Sequence, residues 1–157
     1  MEEWRVNNGA EAMLRLPDGR FLVFSEGKGR ISEALMFLGD PATPGTRTVR
    51  IRYKPPEGYR ITDAVLTPDG RMLLLNRDAN LLKGGFVAKV TVAPIPETRS
   101  GRLIEGKEIA DLARPLSDNM EALSVTQEGG RTILWMASDN NYNSIQRTLL
   151  LKFALER

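Results

Sequence analysis

Short apolar runs separated by turn residues recur along the chain. Three segments align: AEAMLRLPDGRFLVFSE from Ala10, TDAVLTPDGRMLLLNRD from Thr62 and MEALSVTQEGGRTILWMASD from Met120. Each has an acid followed by alanine, an apolar run, a turn, an arginine and a second apolar run. Two short apolar runs joined by a tight turn are typical of a β-hairpin. The pattern therefore predicts three similar hairpins.

Further strands follow each hairpin. The apolar runs predict strands over residues 33–38, 46–54, 85–95, 102–112 and 147–155. The turn acids Asp18, Asp69 and Glu128 are 51 and 59 residues apart, which is close to the length of one four-stranded propeller blade. Two segments, SEALMFL and EIADLARPL, have some helical propensity but do not sustain a helical period.

These observations predict an all-β fold in a single domain over residues 1–157. The expected architecture is a partial β-propeller of about three four-stranded antiparallel blades, half of a six-bladed ring. The blade units would span about residues 9–58, 59–115 and 116–157. A β-sandwich or an irregular antiparallel sheet is the alternative, in which the hairpins resemble one another by chance.

Two residue types are missing from the chain, which has no cysteine and no histidine. This excludes a disulfide framework, a thiolate nucleophile, a serine–histidine dyad and the usual zinc site. Any hydrolytic chemistry must then depend on carboxylates, lysine, tyrosine or a metal held by oxygen ligands.

The 22 basic and 20 acidic residues are interspersed and give a net charge of +2. We therefore expect no nucleic-acid partner.

The N-terminal sequence MEEWRVNNGAEAM has no basic region followed by an apolar stretch, so it does not predict a secretion signal. No apolar run in the chain is long enough for a transmembrane helix, which predicts no membrane insertion.

Acidic residues recur at one end of the predicted hairpins. The first strand of a hairpin starts at the end where the second strand finishes, because the two run antiparallel. Six residues at these positions are expected at the same end of the sheets: Glu11, Asp63 and Glu121 on the first strands, and Glu26, Arg77 and Asp139 on the second strands.

Carboxylates that converge in a partly desolvated place raise one another's pKa, and a divalent cation relieves this repulsion. Calcium suits mixed carboxylate, amide and water ligands best. The predicted ligands are Glu11, Glu26, Asp63, Glu121, Asp139 and Asn140. The alternative is structural, because Asp and Asn also satisfy backbone groups at turns. Asp18, Asp69 and Glu128 are predicted to form turns at the opposite end.

At these residues the sequence resembles the phytase-like domain family, described as having esterase-like activity of phytase. The segments that carry the resemblance are NNGAEAMLRLPDGRFLVFSE, YKPPEGYRITDAVLTPDGRMLLL and DNMEALSVTQEGGRTILWMASDNNYNSIQRTLLLKFAL. The resemblance implies a secreted or periplasmic bacterial β-propeller that hydrolyses phosphoesters. The acids that correspond to the family's repeated Glu and Asp residues are Glu11, Glu26, Asp63, Glu121 and Asp139.

From the resemblance we expect a calcium-dependent phosphoric ester hydrolase, or half of one, acting on a small phosphorylated substrate. The expected catalytic residues are Glu11, Asp63, Glu121 and Asp139. Arg77 and Arg147 are expected to bind the phosphate, because guanidinium groups bind phosphate in a bidentate way. The alternative is a non-catalytic propeller module that binds a protein or a small ligand, or an inactive truncated remnant.

The resemblance is to the C-terminal half of longer family domains, and three blades are too few to close a propeller. The chain is therefore expected to be a fragment, or to form a homodimer that completes the ring. The segment EEWRV near the N-terminus is a candidate for the missing outer strand of the last unit.

Overall fold

The computed structural model describes residues 9–25, 27, 31–80 and 85–156. Within these ranges the protein is all-β, as predicted, and contains no helix. The strands are β1 (Ala10–Arg15), β2 (Phe21–Ser25), β3 (Ser32–Phe37), β4 (Thr48–Lys54), β5 (Arg60–Leu66), β6 (Arg71–Asn80), β7 (Gly85–Pro94), β8 (Leu103–Glu105), β9 (Lys107–Leu112), β10 (Met120–Glu128), β11 (Arg131–Ser138) and β12 (Leu150–Ala154). A helix long and apolar enough to cross a membrane is likewise not found in the described part of the chain.

The strands form three sheets. The first sheet has the order β1-β2-β3-β4-β8, the second β5-β6-β7-β9 and the third β10-β11-β12. The three predicted hairpins are β1–β2, β5–β6 and β10–β11, and all of them are antiparallel. The two segments with helical propensity form β3 and β9 instead. Four strands per sheet were expected from the sequence, but only the second sheet has this number among the described residues.

The single strand predicted over residues 102–112 is wrong, because the structure divides it at Gly106 into β8 and β9. β8 pairs in parallel with β4 of the first sheet, whereas β9 pairs antiparallel with β7 of the second. A Cβ atom on Gly106 would lie 2.7 Å from the Thr91 side chain. A glycine therefore allows the chain to pass close to β7 as it crosses between the two sheets.

The predicted turn residues lie at the hairpin tips. Gly19 and Gly70 have φ angles of 87° and 81°, in the left-handed region that favours glycine. The Asp69 carboxylate accepts hydrogen bonds from Arg71 Nε and from the Thr67 hydroxyl, which lower the pKa of Asp69 to about 2.

Asp18 bonds Arg20 in the same way, and this also lowers the pKa of Asp18. The turn role of Asp18 and Asp69 is confirmed. The third hairpin differs, because its turn is formed by Gly129 and Gly130, at φ angles of 55° and 77°. Glu128 ends β10 and forms an ion pair with Lys152 at 2.5 Å.

The second sheet lies between the other two. Met72 and Leu74 of β6 belong to the hydrophobic core shared with the first sheet. Leu73 and Leu75 belong to the core shared with the third sheet. Because side chains alternate across a strand, a strand that is buried on both faces has no polar face. This explains the uninterrupted run MLLL in β6.

A buried group of polar side chains connects the first and second sheets. The Tyr53 hydroxyl on β4 donates a hydrogen bond of 2.6 Å to Asn76 Oδ1 on β6. Asn76 Nδ2 donates to the Leu74 carbonyl at 3.0 Å and to Thr91 Oγ1 at 3.3 Å. Burial raises the pKa of Tyr53 to about 12, so the hydroxyl stays protonated and can donate.

Tyr53→Phe is expected to lower the free energy of unfolding by about 1–2 kcal/mol, because it leaves the buried Asn76 oxygen without its donor. Tyr142→Phe is the matched control, since the Tyr142 side chain is fully exposed. Urea unfolding followed by circular dichroism measures both changes. Equal stability of the two variants would contradict a structural role for the Tyr53 hydroxyl.

Candidate functional site

The candidate site lies at the end of the sheets where the first strand of each hairpin begins. All three first strands have an irregular pairing register at this end. The register shifts fall between Ala10 and Ala12 in β1, between Ile61 and Asp63 in β5, and between Met120 and Ala122 in β10. A β-bulge of this kind re-aims nearby side chains. The recurring acid-Ala motif therefore lies at an irregularity that the apolar pattern did not predict.

Asp63 connects the second and third sheets. It is half-buried, and its Oδ2 accepts a hydrogen bond of 2.7 Å from the Leu123 backbone N–H on β10. Its Oδ1 accepts a bond of 2.8 Å from the Ala64 backbone N–H. Burial raises the pKa of Asp63, and the two backbone N–H groups partly oppose this rise. The neighbouring Thr62 hydroxyl donates to the Met120 carbonyl at 3.0 Å.

Glu121 and Arg77, both predicted as site residues, contact each other. Arg77 Nη1 donates to Glu121 Oε1 at 2.5 Å across the second and third sheets. Both side chains are partly buried, and the Arg77 guanidinium lies 5.4 Å from the centre of the Phe86 ring. The ring face and the carboxylate together hold the guanidinium in place.

Arg147 is paired with an acid that was not predicted as a site residue. Asp118 is fully buried, and its Oδ2 accepts hydrogen bonds of 3.2 Å from both the backbone N–H and the Nε of Arg147. Asp118 Oδ1 accepts a bond from the Asn119 backbone N–H. Arg147 Nη2 donates to the Ser117 carbonyl at 3.0 Å. The chain separation between Asp118 and Arg147 explains why the sequence pattern did not reveal this pair.

Asn119 is the unusual polar residue of this region. Its side chain is fully buried, and neither Oδ1 nor Nδ2 has a hydrogen-bond partner in the part of the chain that the structure describes. Its backbone carbonyl accepts a bond of 3.0 Å from the Asp139 N–H, which extends the β10–β11 pairing by one step. Buried amides are normally satisfied by protein, water or an ion. Asn119 is therefore suited to bind a further group.

Of the remaining predicted residues that the structure describes, Asp139 and Asn140 lie in the loop after β11 and Glu11 lies on β1. Asp139 is exposed and accepts a bond of 3.0 Å from the Asn141 N–H. Asn140 Oδ1 accepts a bond of 3.1 Å from the Tyr142 N–H. Both side chains thus stabilise turns of their own loop. Glu11 is exposed on β1, and Glu26 lies outside the described residues.

The calcium hypothesis requires several acidic side chains to converge around one ion. Among the described residues, no group of three or more acidic side chains is placed to hold a metal ion. The carboxylates of Asp63, Glu121 and Asp118 already bind backbone N–H groups or arginines. These carboxylates do not form a calcium site as they stand, and calcium binding stays a prediction.

A family model described as phytase-like, with esterase-like activity of phytase, matches residues 1–142. No curated protein and no solved structure matches the chain. The match covers the three first strands and the first four residues, 139–142, of the loop that follows β11.

Asp118→Asn is expected to lower the free energy of unfolding by about 2 kcal/mol, because a buried carboxylate that accepts bonds from Arg147 is replaced by a neutral amide. Asp139→Asn is the matched control, because the Asp139 side chain is exposed, and it is expected to change the free energy of unfolding by less than about 0.5 kcal/mol. Chemical denaturation measures both. A stable Asp118→Asn variant would show that the pair with Arg147 contributes little.

The pKa of Asp63 is expected to lie above the ordinary value of an aspartate, and the pKa of Asp18 below it. Because the folded-state pKa of Asp63 is raised, its contribution to stability is fully present below the unfolded pKa and is lost as the pH rises through the folded pKa. Carboxyl carbon chemical shifts measured by NMR across acidic pH test the order of the two groups. Titration of Asp63 below Asp18 would contradict the burial of the Asp63 carboxylate.

Proposed function

Because the chain belongs to the phytase-like family, we propose that it is a phosphoester hydrolase module. The family match over residues 1–142 is the observation that carries this proposal. The proposed site is the end of the sheets where β1, β5 and β10 begin. Its proposed substrate is a small phosphorylated molecule, and its proposed catalytic residues are Glu11, Asp63, Glu121 and Asp139.

We also propose that the three sheets are consecutive blades of a β-propeller. In a propeller the innermost strands of neighbouring blades lie side by side. In support of this, β1 contacts β5, and β5 contacts β10. The burial of the second sheet on both faces is also what a blade with two neighbours requires.

Arg77 and Arg147 are the proposed phosphate-binding residues. A guanidinium group has five N–H donors, and the bonds described above use only some of them. Glu121 and Asp118 fix the orientation of these two groups. A phosphate that approaches Arg77 would compete with Glu121, which makes Glu121 a positioning residue for phosphate binding as well as a predicted acid.

Two carboxylates in different surroundings suit acid–base chemistry. Burial raises the pKa of Asp63, and we propose this carboxyl group as the one that donates a proton to the leaving alcohol. Asp139 is exposed and can accept a proton from an attacking water.

A bound calcium ion would polarise the phosphoryl oxygen, and the oxygens of Asn119, Asp139 and Asn140 are the ligands that we propose for this ion.

A specific observation favours a second candidate, a non-catalytic module that binds a ligand or a protein through the same end of the sheets. Asp63, Glu121 and Asp118 each bond to another strand or loop of the chain. Acids that are engaged in this way contribute to stability without any substrate. In this alternative the family's acids serve mainly to join the second and third sheets.

Phosphate release from an aryl phosphate, measured with and without calcium, tests the enzyme. Glu121→Gln and Asp139→Asn are each expected to reduce the rate by about 100-fold or more, the usual effect of losing a positioned acid or base. Glu128→Gln is the matched control, because Glu128 lies at the opposite end of its hairpin. This control is expected to keep the wild-type rate.

A folded protein that releases no phosphate under either condition would favour the binding module. Activity that neither site variant reduces would overturn the site but not the reaction. Isothermal titration of the metal-free protein provides a separate measurement for calcium, and no heat together with an unchanged melting temperature would remove calcium from the proposal.

A further inference from the structure

The third sheet is one strand shorter than its two neighbours. The first sheet has β4 as its fourth strand and the second sheet has β9, whereas the third sheet ends at its third strand, β12, among the described residues. In the first sheet, β4 places Ile51 and Tyr53 in the core shared with the second sheet, where both are almost fully buried. A fourth strand of the third sheet would make the same kind of contribution to the core on the other side of the second sheet.

An apolar cavity lies where the side chains of such a strand would pack. It has a volume of about 510 Å³ and separates β9 of the second sheet from β12 of the third. Its walls include Ile109, Leu112 and Leu116 on one side and Phe153 and Leu155 on the other. Ile109 and Leu116 are 43% and 50% exposed. Covering these walls with apolar groups removes their surface from water, which is favourable.

The backbone of β12 has an open row of hydrogen-bonding groups beside this cavity. The Leu155 N–H donates to the Thr132 carbonyl at 2.9 Å, which makes these two residues a bonded pair between β12 and β11. Residues of an antiparallel strand alternate between bonded and non-bonded pairs with their neighbour. The N–H and C=O groups of Leu150, Lys152 and Ala154 therefore point away from β11, towards the open edge. A row of this kind is a template for another strand.

A strand fits this position better than a small molecule does. The apolar cavity and the open backbone row lie side by side, and only an extended chain uses both. The other two sheets have a strand at the corresponding position, and β4 and β9 both run antiparallel to the third strand of their sheet. The expected occupant is therefore an extended segment that runs antiparallel to β12.

The side chains of β12 specify the composition of that segment. Directly opposite residues of two paired strands lie on the same face of the sheet. Residues opposite Phe153 and Leu155 would enter the cavity and should be apolar. A residue opposite Lys152 should be acidic, and a residue opposite the exposed Glu156 should be basic, because opposite charges stabilise such pairs and like charges destabilise them.

We propose that β12 accepts an extended peptide strand from a partner protein as the fourth strand of the third sheet. The alternate apolar side chains of the peptide fill the cavity between β9 and β12, and its backbone bonds Leu150, Lys152 and Ala154. Main-chain bonds give affinity in this mode of recognition, and the cavity for alternate side chains gives specificity. The proposal does not rest on the proposed hydrolase activity.

Binding of a fluorescent peptide to the full chain, measured by fluorescence anisotropy, tests the proposal. The peptide Arg-Val-Thr-Ile-Glu-Val-Thr places its valines and isoleucine on the cavity face when its arginine lies opposite Glu156 and its glutamate opposite Lys152. Saturable binding is expected. Methylation of the glutamate backbone nitrogen is expected to weaken binding at least about ten-fold, because this N–H bonds the Lys152 carbonyl. Methylation of the isoleucine backbone nitrogen, which points away from β12, is the matched control and should change binding by less than about two-fold.

Two substitutions in the protein test the cavity. Ile109→Glu and Leu116→Glu each place a charge on its apolar wall and are expected to weaken peptide binding at least about ten-fold. Ile145→Glu is the matched control, since Ile145 is 75% exposed but lies in the loop before β12. It should bind the peptide as the wild type does. Circular dichroism verifies that each variant keeps its β-structure.

Three results would overturn the proposal. The first is no saturable binding, or equal binding of the two methylated peptides. The second is binding that survives both Ile109→Glu and Leu116→Glu. The third is a wild type that does not bind the peptide but is dimeric by light scattering and becomes monomeric in Leu116→Glu, since the occupant would then be a second copy of the chain. Because none of these measurements involves phosphate release, the strand site can fail while the hydrolase proposal stands.

Discussion

The packing of the second sheet between the first and the third is the constraint on which the rest of the structure depends. Alternate side chains of β6 enter two different hydrophobic cores, so one strand contributes to both sheet interfaces. A strand in this position has no face for polar side chains. Asn76 is a fully buried exception, and it is tolerated because Tyr53 and Thr91 satisfy its amide.

The interface between the second and third sheets contains much of the proposed site. Three of its polar contacts are Thr62 with Met120, Asp63 with Leu123, and Arg77 with Glu121. Asp63 and Glu121 are among the acids that the family resemblance implicates in chemistry. A site built across an interface of this kind gains rigidity, because its side chains are held by bonds that also join the sheets. If the proposed chemistry holds, it is coupled to the stability of this interface.

Local sequence patterns predicted the repeated parts of the fold well. The three hairpins, the turn roles of Asp18 and Asp69, and the absence of helix in the described chain all follow from apolar period and turn residues. The division at Gly106 could not be predicted in this way, because the two halves of residues 102–112 both look like strand and only the position of β7 separates them.

The candidate site was predicted less completely, and for a physical reason. The acid-Ala motif identified Asp63 and Glu121, because a repeated acid at the start of an apolar strand is visible in one dimension. The contacts of these acids are not visible in the sequence, since Leu123 reaches Asp63 and Arg77 reaches Glu121 only after the sheets pack. The sequence by itself thus determined the residue types, their order and the strands that carry them. Tertiary packing alone decided which groups the carboxylates bond and which buried amide lacks a partner among the described residues, because both depend on contacts between distant segments.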